Sequence, residues 1–353
     1  MDTLVAKITG DEKNDAGIYE KAAHILRAGG LVAFPTETVY GLGGNAFDKN
    51  ASMKIYAAKG RPSDNPLIVH IADMESLADI ADEIPESAKK LAEAFWPGPL
   101  TMIMKKKESV PKETTGGLDT VAVRMPSHPV AARMIASSGI YVAAPSANTS
   151  GRPSPTKAQH VIDDLNGKID MIIADDTVDI GIESTIIDLS EEIPTVLRPG
   201  YITVEMLRGV LGRVEIDKAI VSGNTVADNV TPKAPGMKYR HYAPKAQLTI
   251  VEGNNECVTR TINELAQKKL AEGFKVGIMT TDENIKSYPH GEVRSLGLRS
   301  DEATVAKHLF AVLREFDDLG ADYIYSEAFT NANVGQAVMN RLVKAAGHSI
   351  IRV

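Results

Sequence analysis

The chain has 353 residues, of which 43% are hydrophobic and 24% are charged, and its formal net charge at pH 7 is -7. A single hydrophobic core rarely grows past roughly 250 to 300 residues, so this length predicts two domains. The negative net charge excludes a global positive field that would attract nucleic acid, and the single cysteine, Cys257, excludes internal disulfides and zinc clusters of cysteine pairs.

The N-terminal segment predicts one helix and one buried strand. Residues 1–10 carry charges and no long apolar core, so we expect no signal peptide, no membrane span and a cytoplasmic location. Apolar residues recur at helical spacing from Ile18 to Leu26, and the glycine pair that follows ends this helix. The apolar run 31–34 then predicts a strand, which ends because Pro35 cannot donate to a sheet ladder.

A polar, glycine-rich loop follows this strand, at the edge where open α/β sheets usually bind ligands. Thr36, Glu37 and Thr38 offer hydroxyl and carboxylate groups, and we expect the glycines of residues 41–44 to let backbone N–H groups approach a ligand closely. The chain contains no GxxxxGK followed by Ser or Thr, and these glycines lack the dinucleotide spacing. The loop therefore predicts an anion-binding active site of another kind.

Two cations flank the end of the next predicted helix. Asp48 caps this helix and Gly60 ends it, so Lys59 and Arg61 lie at its carboxyl end. Two interpretations of Lys59 and Arg61 are possible from these residues alone: the cations complement the helix dipole, or they bind an anion.

The following segment predicts scaffold elements with one titratable residue among them. A strand over 67–71 carries His70, which is either a satisfied core histidine or a site residue. We expect Trp96, the only tryptophan, to pack in the core. The polar segment 109–119 has two threonines and two glycines at its centre, and we predict a mobile loop there.

Later strands of the N-terminal half also end beside polar or cationic side chains: a strand over 120–124 at Arg124, one over 140–144 at Ser146 and Asn148, and one that ends at Arg198. Ser184 precedes a further strand, and Arg152 lies in a loop of Gly, Pro and Ser. Several neighbouring strands lack a helix between them. We therefore expect an α/β fold with a twisted mixed sheet rather than a parallel one.

The cations of this half recur at element ends. Five of them fall at or just beyond predicted elements in a chain that is acidic overall: Lys59, Arg61, Arg124, Arg152 and Arg198. Such a cluster would form a positively charged cavity suited to a triphosphate, because arginine binds phosphate or carboxylate with two parallel hydrogen bonds. The alternative is that these cations form separate surface ion pairs.

The pattern changes after residue 220. We assign 1–220 to a catalytic domain, 221–246 to a linker and 247–353 to a smaller C-terminal domain. The linker is either a flexible tether or a lid, and its dense aromatic residues favour a lid because exposed aromatic surface is costly. Strands and helices alternate in the C-terminal domain, which predicts a Rossmann-like layout, but GxGxxG is absent and we assign no dinucleotide.

Four motifs in chain order resemble the YrdC-like family of threonylcarbamoyl-AMP synthases, in its long two-domain form: PTETVYGLG at 35–43, KGRP at 59–62, PSAN at 145–148, and APGMKYRHYAP at 234–244. The resemblance covers nearly the whole chain. It implies an N-terminal YrdC-like domain, with a twisted mixed sheet and helices around a positive cavity, plus a C-terminal Rossmann-like domain.

The resemblance also implies the chemistry. L-threonine, bicarbonate and ATP would give L-threonylcarbamoyl-AMP and pyrophosphate, and a downstream tRNA threonylcarbamoyl transferase would pass the group to an adenosine of tRNA next to the anticodon. A weak direct contact with tRNA is a further expectation. Magnesium is expected with ATP, held mainly through phosphates. We assign no side chain as a metal ligand, and Glu37 is the nearby carboxylate whose contact with the metal stays open.

Family roles transfer position by position to this chain. The resemblance implies a catalytic set that binds phosphates and carbamate (Lys59, Arg61, Ser146, Asn148), a threonine pocket (Thr36, His70, Arg124, Ser184), ATP contacts (Lys59, Ser63, Thr120, Ser146, Arg152, Arg198, Tyr242) and a lid (Tyr239, His241, Tyr242). In this assignment Arg124 binds the threonine carboxylate, and the lid excludes water from a labile acyl-adenylate.

Three alternatives remain. The first is a non-catalytic protein that binds double-stranded RNA in the same positive cavity, which the net charge disfavours. The second is a carbamoyl-transfer enzyme of the hydrogenase-maturation type, whose cysteine-rich zinc modules do not fit a chain with one cysteine. Third, the C-terminal domain is either regulatory or a docking surface for the downstream transferase.

Overall fold

The computed structural model of the protein describes residues 2–175, 178–218, 220, 232–235, 241–330 and 332–353. The chain forms two compact units. Unit 1 comprises Met1–Ser150, Pro155–Asp179 and Glu183–Tyr239, and unit 2 comprises Gly151–Ser154, Ile180–Ile182 and Arg240–Val353. Within the described ranges, no helix is long and apolar enough to cross a membrane.

Unit 1 is built around a large mixed sheet with helices. Its elements in chain order are β1 Leu4–Lys7, α1 Glu12–Arg27, β2 Val32–Phe34, β3 Gly41–Asn45, α2 Lys49–Lys59, β4 Ile68–His70, α3 Leu77–Ile80, α4 Glu86–Phe95, β5 Leu100–Lys105, β6 Thr120–Arg124, α5 Pro129–Ser138, β7 Val142–Ala144, α6 Ala158–Leu165, β8 Met171–Ala174, β9 Thr185–Asp188, β10 Thr195–Arg198, α7 Val204–Leu211 and β11 Glu215–Ile216. The strand order is β1-β8-β2-β3-β7-β4-β6-β5-β9-β10-β11. Parallel and antiparallel pairs alternate irregularly along it, which confirms the predicted mixed sheet.

The helix that carries Lys59 begins and ends as its sequence predicts. The side chain of Asp48 accepts a hydrogen bond from the Asn50 N–H, and Gly60 ends the helix with φ +62°. A left-handed residue at this position favours glycine, because it carries no Cβ. Lys59 is therefore fixed as the last helical residue of α2.

The glycines of residues 41–44 lie in a strand, so the prediction of a loop over these residues was wrong. They lie in β3, which pairs antiparallel with β2 and β7. A Cβ on Gly43 would lie 2.7 Å from Val142 Cγ1 and 2.9 Å from Phe34 Cε1. The glycines are needed because neighbouring side chains pack directly against the backbone of this strand, and pattern reasoning from strand propensity missed it.

The segment 109–119 is packed, contrary to the mobile loop expected from its composition. Thr114 and Thr115 are buried, and the Thr114 hydroxyl donates to the Ala46 carbonyl at 2.7 Å. The Leu67 N–H donates to the Thr114 carbonyl. This segment thus accepts a backbone hydrogen bond from the residue that precedes β4.

Unit 2 is a parallel α/β unit. Its elements are β12 Gln247–Glu252, α8 Asn255–Ala271, β13 Val276–Thr280, a 3-10 turn at Ile285–Ser287, β14 Glu292–Ser295, α9 Glu302–Leu319, β15 Tyr323–Glu327, α10 Asn333–Ala345 and β16 Ile350–Arg352. The strand order is β14-β13-β15-β12-β16, and every pair is parallel. The predicted Rossmann-like layout is confirmed.

Candidate active site

Lys59 lies at the carboxyl end of α2 with its ammonium surrounded by oxygens of one turn. Its Nζ donates to the Ser146 carbonyl at 2.5 Å and to the Asn148 carbonyl, and Asn148 Oδ1 lies 3.4 Å away. The Ser146 hydroxyl donates to Asn148 Oδ1 at 2.6 Å. The side chain is buried, and burying an ammonium is costly unless polar partners surround it. Helix α2 and the turn after β7 thus bring three of the four predicted catalytic residues together.

Arg61, the fourth predicted catalytic residue, binds the loop that leads to β4. Its Nη2 donates to the Asn65 carbonyl at 3.3 Å and to the Pro66 carbonyl at 3.1 Å. Ser63 is an exposed residue of the same loop. Arg61 therefore shapes the loop beside the Lys59 turn.

A buried ion pair links the first motif to β6. Arg124 Nη2 lies 2.7 Å from Glu37 Oε1, and the two side chains are 5% and 6% exposed, respectively. Burial, the largest single effect, raises the pKa of Glu37, but the charge of Arg124 and the hydrogen bonds to the carboxylate together lower it by more, so the pKa lies below its usual value. Glu37 is thus a carboxylate at neutral pH and neutralises Arg124.

A directed chain of hydrogen bonds connects Arg124 to Thr36. Arg124 Nη1 donates to Thr38 Oγ1 at 2.9 Å, and Thr38 Oγ1 lies 2.8 Å from Thr36 Oγ1. The Thr36 hydroxyl donates to the Val39 carbonyl at 2.6 Å. Since that uses the one hydroxyl proton of Thr36, Thr38 is the donor between the two threonines. The neighbouring groups therefore determine the orientation of the Thr36 and Thr38 hydroxyls.

His70 is held beside Arg124 as a neutral imidazole. β4 and β6 pair in parallel, and His70 and Arg124 are partners in the register. Burial and then the charge of Arg124 lower the pKa of His70 to about 3. Nδ1 lies 3.1 Å from the Ile68 carbonyl, which can only accept, so Nδ1 carries the proton and Nε2 is an acceptor.

Arg198 and Ser184 form a third buried cluster. Arg198 Nε donates to the Ser184 carbonyl at 3.0 Å, and its Nη2 donates to Ser184 Oγ at 3.1 Å. Thr101 Oγ1 lies 2.8 Å from the same Ser184 Oγ. Both neighbours thus fix the Ser184 hydroxyl. Sequence reasoning missed Thr101, since nothing distinguishes it from other threonines in buried strands.

Part of the segment predicted as a linker lies over the sheet of unit 1. Ala234 is fully buried in a cluster with Ile68, Ile103, Ala122, Ile186 and Leu197. Alternate residues of a strand share a face, so Ile68 and Ala122 lie on the same face as His70 and Arg124. Lys233 forms an ion pair with Asp188 at 3.1 Å. Residues 232–235 therefore cover the face of the sheet that presents the site residues.

The remaining predicted residues make other contacts or fall outside the described ranges. Thr120 begins β6, so it lies four residues, roughly 13 Å, from Arg124 along the strand. Arg152 belongs to unit 2 and lies 3.5 Å from Asp317. Tyr242 also belongs to unit 2, stacks on Phe310 with ring centroids 5.1 Å apart, and neighbours His241. Tyr239 lies outside the described residues.

Acidic and histidine side chains do not gather into a metal site in the part of the chain that the structure describes. Glu37, the carboxylate of the first motif, is instead paired with Arg124. The arrangement combines buried cations, oriented hydroxyls and one neutral imidazole. These groups can bind a carboxylate and phosphates, and they can stabilise negative charge that develops in a reaction.

Two family models match the chain. The model described as "Telomere recombination" (Sua5_yciO_yrdC) matches residues 24–200, and the model described as "Threonylcarbamoyl-AMP synthase, C-terminal domain" matches residues 202–347. Together they span both units.

Full-length relatives agree with these models. A threonylcarbamoyl-AMP synthase of Pyrococcus abyssi is 52% identical over 332 residues, which cover 94% of this chain and 95% of the relative. One of Bacillus subtilis is 49% identical over 340 residues, which cover 96% and 95%. A crystal structure of P. abyssi Sua5 complexed with L-threonine matches with a TM-score of 0.92 and 49% identity, covering 100% of both chains. The resemblance drawn from the four motifs is thereby confirmed, and the chain belongs to the threonylcarbamoyl-AMP synthase family.

Proposed function

We propose that this chain converts L-threonine, bicarbonate and ATP to L-threonylcarbamoyl-AMP and pyrophosphate, for the threonylcarbamoyladenosine modification of tRNA next to the anticodon. It is a nucleotidyltransferase, as its full-length relatives named threonylcarbamoyl-AMP synthase are. One observation carries the proposal within this chain: Thr36 and Arg124 belong to one buried hydrogen-bond network through Thr38, and buried His70 is the register partner of Arg124 on the neighbouring strand.

The threonine pocket consists of Thr36, His70, Arg124 and Ser184. Arg124 binds the substrate carboxylate with guanidinium N–H groups beyond those that contact Glu37 and Thr38. Neutral His70 offers Nε2 as an acceptor for a substrate hydroxyl or ammonium, without adding a second positive charge beside Arg124. A cation that binds a carboxylate at one side and a hydrogen-bond acceptor at the other suit an amino acid with a hydroxyl group.

The chemical step needs stabilisation of negative charge. The threonine amine and bicarbonate give a carbamate with loss of one water molecule, and a carbamate oxygen then attacks the α-phosphorus of ATP while the bond to pyrophosphate breaks. Lys59, Arg61, Ser146 and Asn148 bind the phosphates and the carbamate in this proposal. They are held by the protein before substrate arrives, so little reorganisation is needed in the transition state.

The remaining ATP contacts are Ser63, Thr120, Arg152, Arg198 and Tyr242. Magnesium enters with ATP as part of the substrate, because the described residues offer no cluster of acidic or histidine ligands and phosphates supply the oxygens that magnesium prefers.

We further propose that residues 1–220 are the catalytic domain, 221–246 a linker that acts as a lid, and 247–353 a separate C-terminal domain. The burial of Ala234 on the face that presents His70 and Arg124 supports a covering role for the linker. Tyr239, His241 and Tyr242 complete the lid in this proposal. A cover would protect the acyl-adenylate from hydrolysis until a downstream tRNA threonylcarbamoyl transferase takes it, with at most weak direct contact between this chain and tRNA. We place this chemistry in the cytoplasm, where ATP and tRNA are found.

The test is pyrophosphate release from ATP, measured with threonine, bicarbonate and magnesium, and with each component omitted in turn. Release that requires all components and falls when serine replaces threonine would support the proposal. ATP that stays intact under every condition, together with salt-sensitive binding of double-stranded RNA, would support the non-catalytic alternative instead. The full-length similarity to named synthases favours the enzyme.

A further inference from the structure

A cavity lies within unit 2, at the carboxyl edge of its parallel sheet. Its volume is about 360 Å³, within the range of ligand-binding pockets. Residues at or beyond the ends of four different strands line it, among them Asn255 after β12, Asn284 after β13, Arg299 after β14 and Glu327 at the end of β15.

The position of this cavity follows from the strand order. β12 and β15 are neighbours, yet the chain leaves β12 towards β13 and leaves β15 towards β16, in opposite directions across the sheet. Right-handed crossovers in opposite directions place the two following helices on opposite faces of the sheet. The loops that follow β12 and β15 therefore turn to opposite faces of the sheet and leave a crevice between them. Open parallel sheets usually bind ligands in a crevice of this kind, at the carboxyl ends of the strands.

The floor of the cavity is a satisfied polar network. Glu327 is 1% exposed, and its Oε1 accepts from the Tyr288 hydroxyl at 2.6 Å and from Asn284 Nδ2 at 3.0 Å. Its Oε2 is paired with Arg299 Nη2. The Glu327 charge is thus balanced by Arg299, whose side chain is 38% exposed and also faces the cavity.

The rim offers one positive and one negative region. The positive region is Arg299 together with the N-terminus of α8, whose first N–H groups have no acceptor within the helix, although Asn254 Oδ1 caps the Cys257 N–H. The negative region is Glu283, whose carboxylate accepts from the Arg299 backbone N–H at 2.9 Å. The side walls include Val251, Val258 and Ala328, which are aliphatic.

This lining indicates the charge of its ligand. The lining has one cationic side chain, Arg299, and two carboxylates, Glu283 and Glu327. Its net charge is therefore -1, which disfavours binding of a phosphate group. No aromatic ring is among its described lining residues, so a base would find no stacking partner. A carboxylate at the helix N-terminus, an ammonium at Glu283 and an aliphatic side chain between them would match all three regions. We propose that this cavity binds a free α-amino acid with a small aliphatic side chain, as a zwitterion.

The test is isothermal titration calorimetry on the full chain with L-valine, N-acetyl-L-valine and L-valinamide. L-valine should bind with one site per chain. Removing either ligand charge should weaken binding about ten-fold or more, because a charge-assisted hydrogen bond is lost in each case. No heat with L-valine up to about 10 mM, where even a millimolar site is occupied, would overturn the proposal, as would tighter binding of adenosine or inorganic phosphate.

Variants locate the site. Glu283→Gln should weaken L-valine binding by about ten-fold, whereas Glu264→Gln, an exposed change on α8 away from the cavity, should not. Ala328→Leu fills the cavity with aliphatic volume and should abolish binding, which provides a second variant if Glu283→Gln does not fold. L-valine has nearly the shape of threonine, so the control is Arg124→Lys, which keeps a cation beside Glu37 but removes the guanidinium proposed to bind the threonine carboxylate; it should bind L-valine as the parent does. Binding lost in Arg124→Lys but kept in Glu283→Gln and Ala328→Leu would assign the heat to the threonine pocket and contradict the proposal.

Discussion

Arg124 and Glu37 lie 2.7 Å apart with both side chains almost completely buried, so the first motif and β6 are joined by a charge pair that water does not reach. Such a pair adds little net stability by itself, but loss of one partner leaves the other charge buried without compensation. The relationship gives Glu37 a positioning role towards Arg124.

Replacing Glu37 by Gln should destabilise the protein by about 3 to 5 kcal/mol, because Arg124 would keep its charge in a buried site without the carboxylate. Urea unfolding followed by circular dichroism measures the change. Glu108→Gln, on an exposed loop, is the matched control and should stay within about 0.5 kcal/mol of the parent. Equal stability of the two variants would show that the pair is not a structural requirement.

His70 should make stability depend on pH. Its pKa falls from 6.5 to about 3 on folding, so the unfolded chain binds the extra proton between these values. The stability contribution is fully present above pH 6.5 and is lost as the pH falls towards 3, by about 1.4 kcal/mol for each pH unit within that window. Unfolding free energies of the parent should therefore fall more steeply over this range than those of His70→Gln. Parallel curves would contradict the neutral, buried imidazole.

Lys59→Ala should abolish pyrophosphate release. The Ser146 and Asn148 carbonyls would also lose a charged donor, so we expect a loss of roughly 1 to 3 kcal/mol in unfolding free energy. Lys49→Ala, at the exposed start of the same helix, is the control for both measurements. A folded Lys59→Ala variant with normal turnover would remove Lys59 from the proposed catalytic set.

Thr101 should affect threonine binding through Ser184. Thr101→Val removes the hydroxyl 2.8 Å from Ser184 Oγ and frees the Ser184 hydroxyl to rotate. We expect KM for threonine to rise about 3-fold to 10-fold, equivalent to roughly 1 kcal/mol, with a smaller effect on kcat. Thr101→Ser keeps the hydroxyl and should restore KM. A drop in kcat at unchanged KM would argue that Ser184 acts elsewhere in the reaction.

Gly43→Ala should destabilise unit 1 by about 1 to 3 kcal/mol, since the added methyl would overlap Val142 and Phe34 in a packed core. Gly209→Ala is the matched change in a helix, where a Cβ meets nothing within 4 Å, and it should stabilise by about 0.5 to 1 kcal/mol. Thermal unfolding distinguishes the two. A neutral Gly43→Ala variant would mean that the sheet adapts to the added methyl.

The sequence predicted those parts of the fold whose local signals agree with the tertiary structure. Asp48 and Gly60 delimit α2 as expected, and apolar runs with clear ends gave β4, β6 and most of unit 2. β3 was missed because its glycines are required by neighbours far away in the chain. β1, α6 and β14 were not anticipated either, since they are short and their burial depends on partners that the local sequence does not contain.

The site was predicted as a set of residues but not as a network. The motifs named Lys59, Ser146, Asn148 and Arg124, which do lie in buried polar clusters. Their partners could not be derived, because Thr101 and the carbonyl oxygens that receive the Lys59 ammonium carry no signature in the sequence. The roles of all these residues stay predictions until the variants are measured.

The glycine-rich strand β3 also acts as a spacer. A Cβ at Gly44 would lie 3.1 to 3.3 Å from Leu31, Ile55 and Ala51, and two of these residues belong to α2. The separation between the central sheet and this helix is therefore set by the absence of a methyl group. Lys59 is the last residue of the same helix, so a single carbon atom added at residue 44, in apolar surroundings, would shift the Lys59 ammonium relative to the turn that receives it.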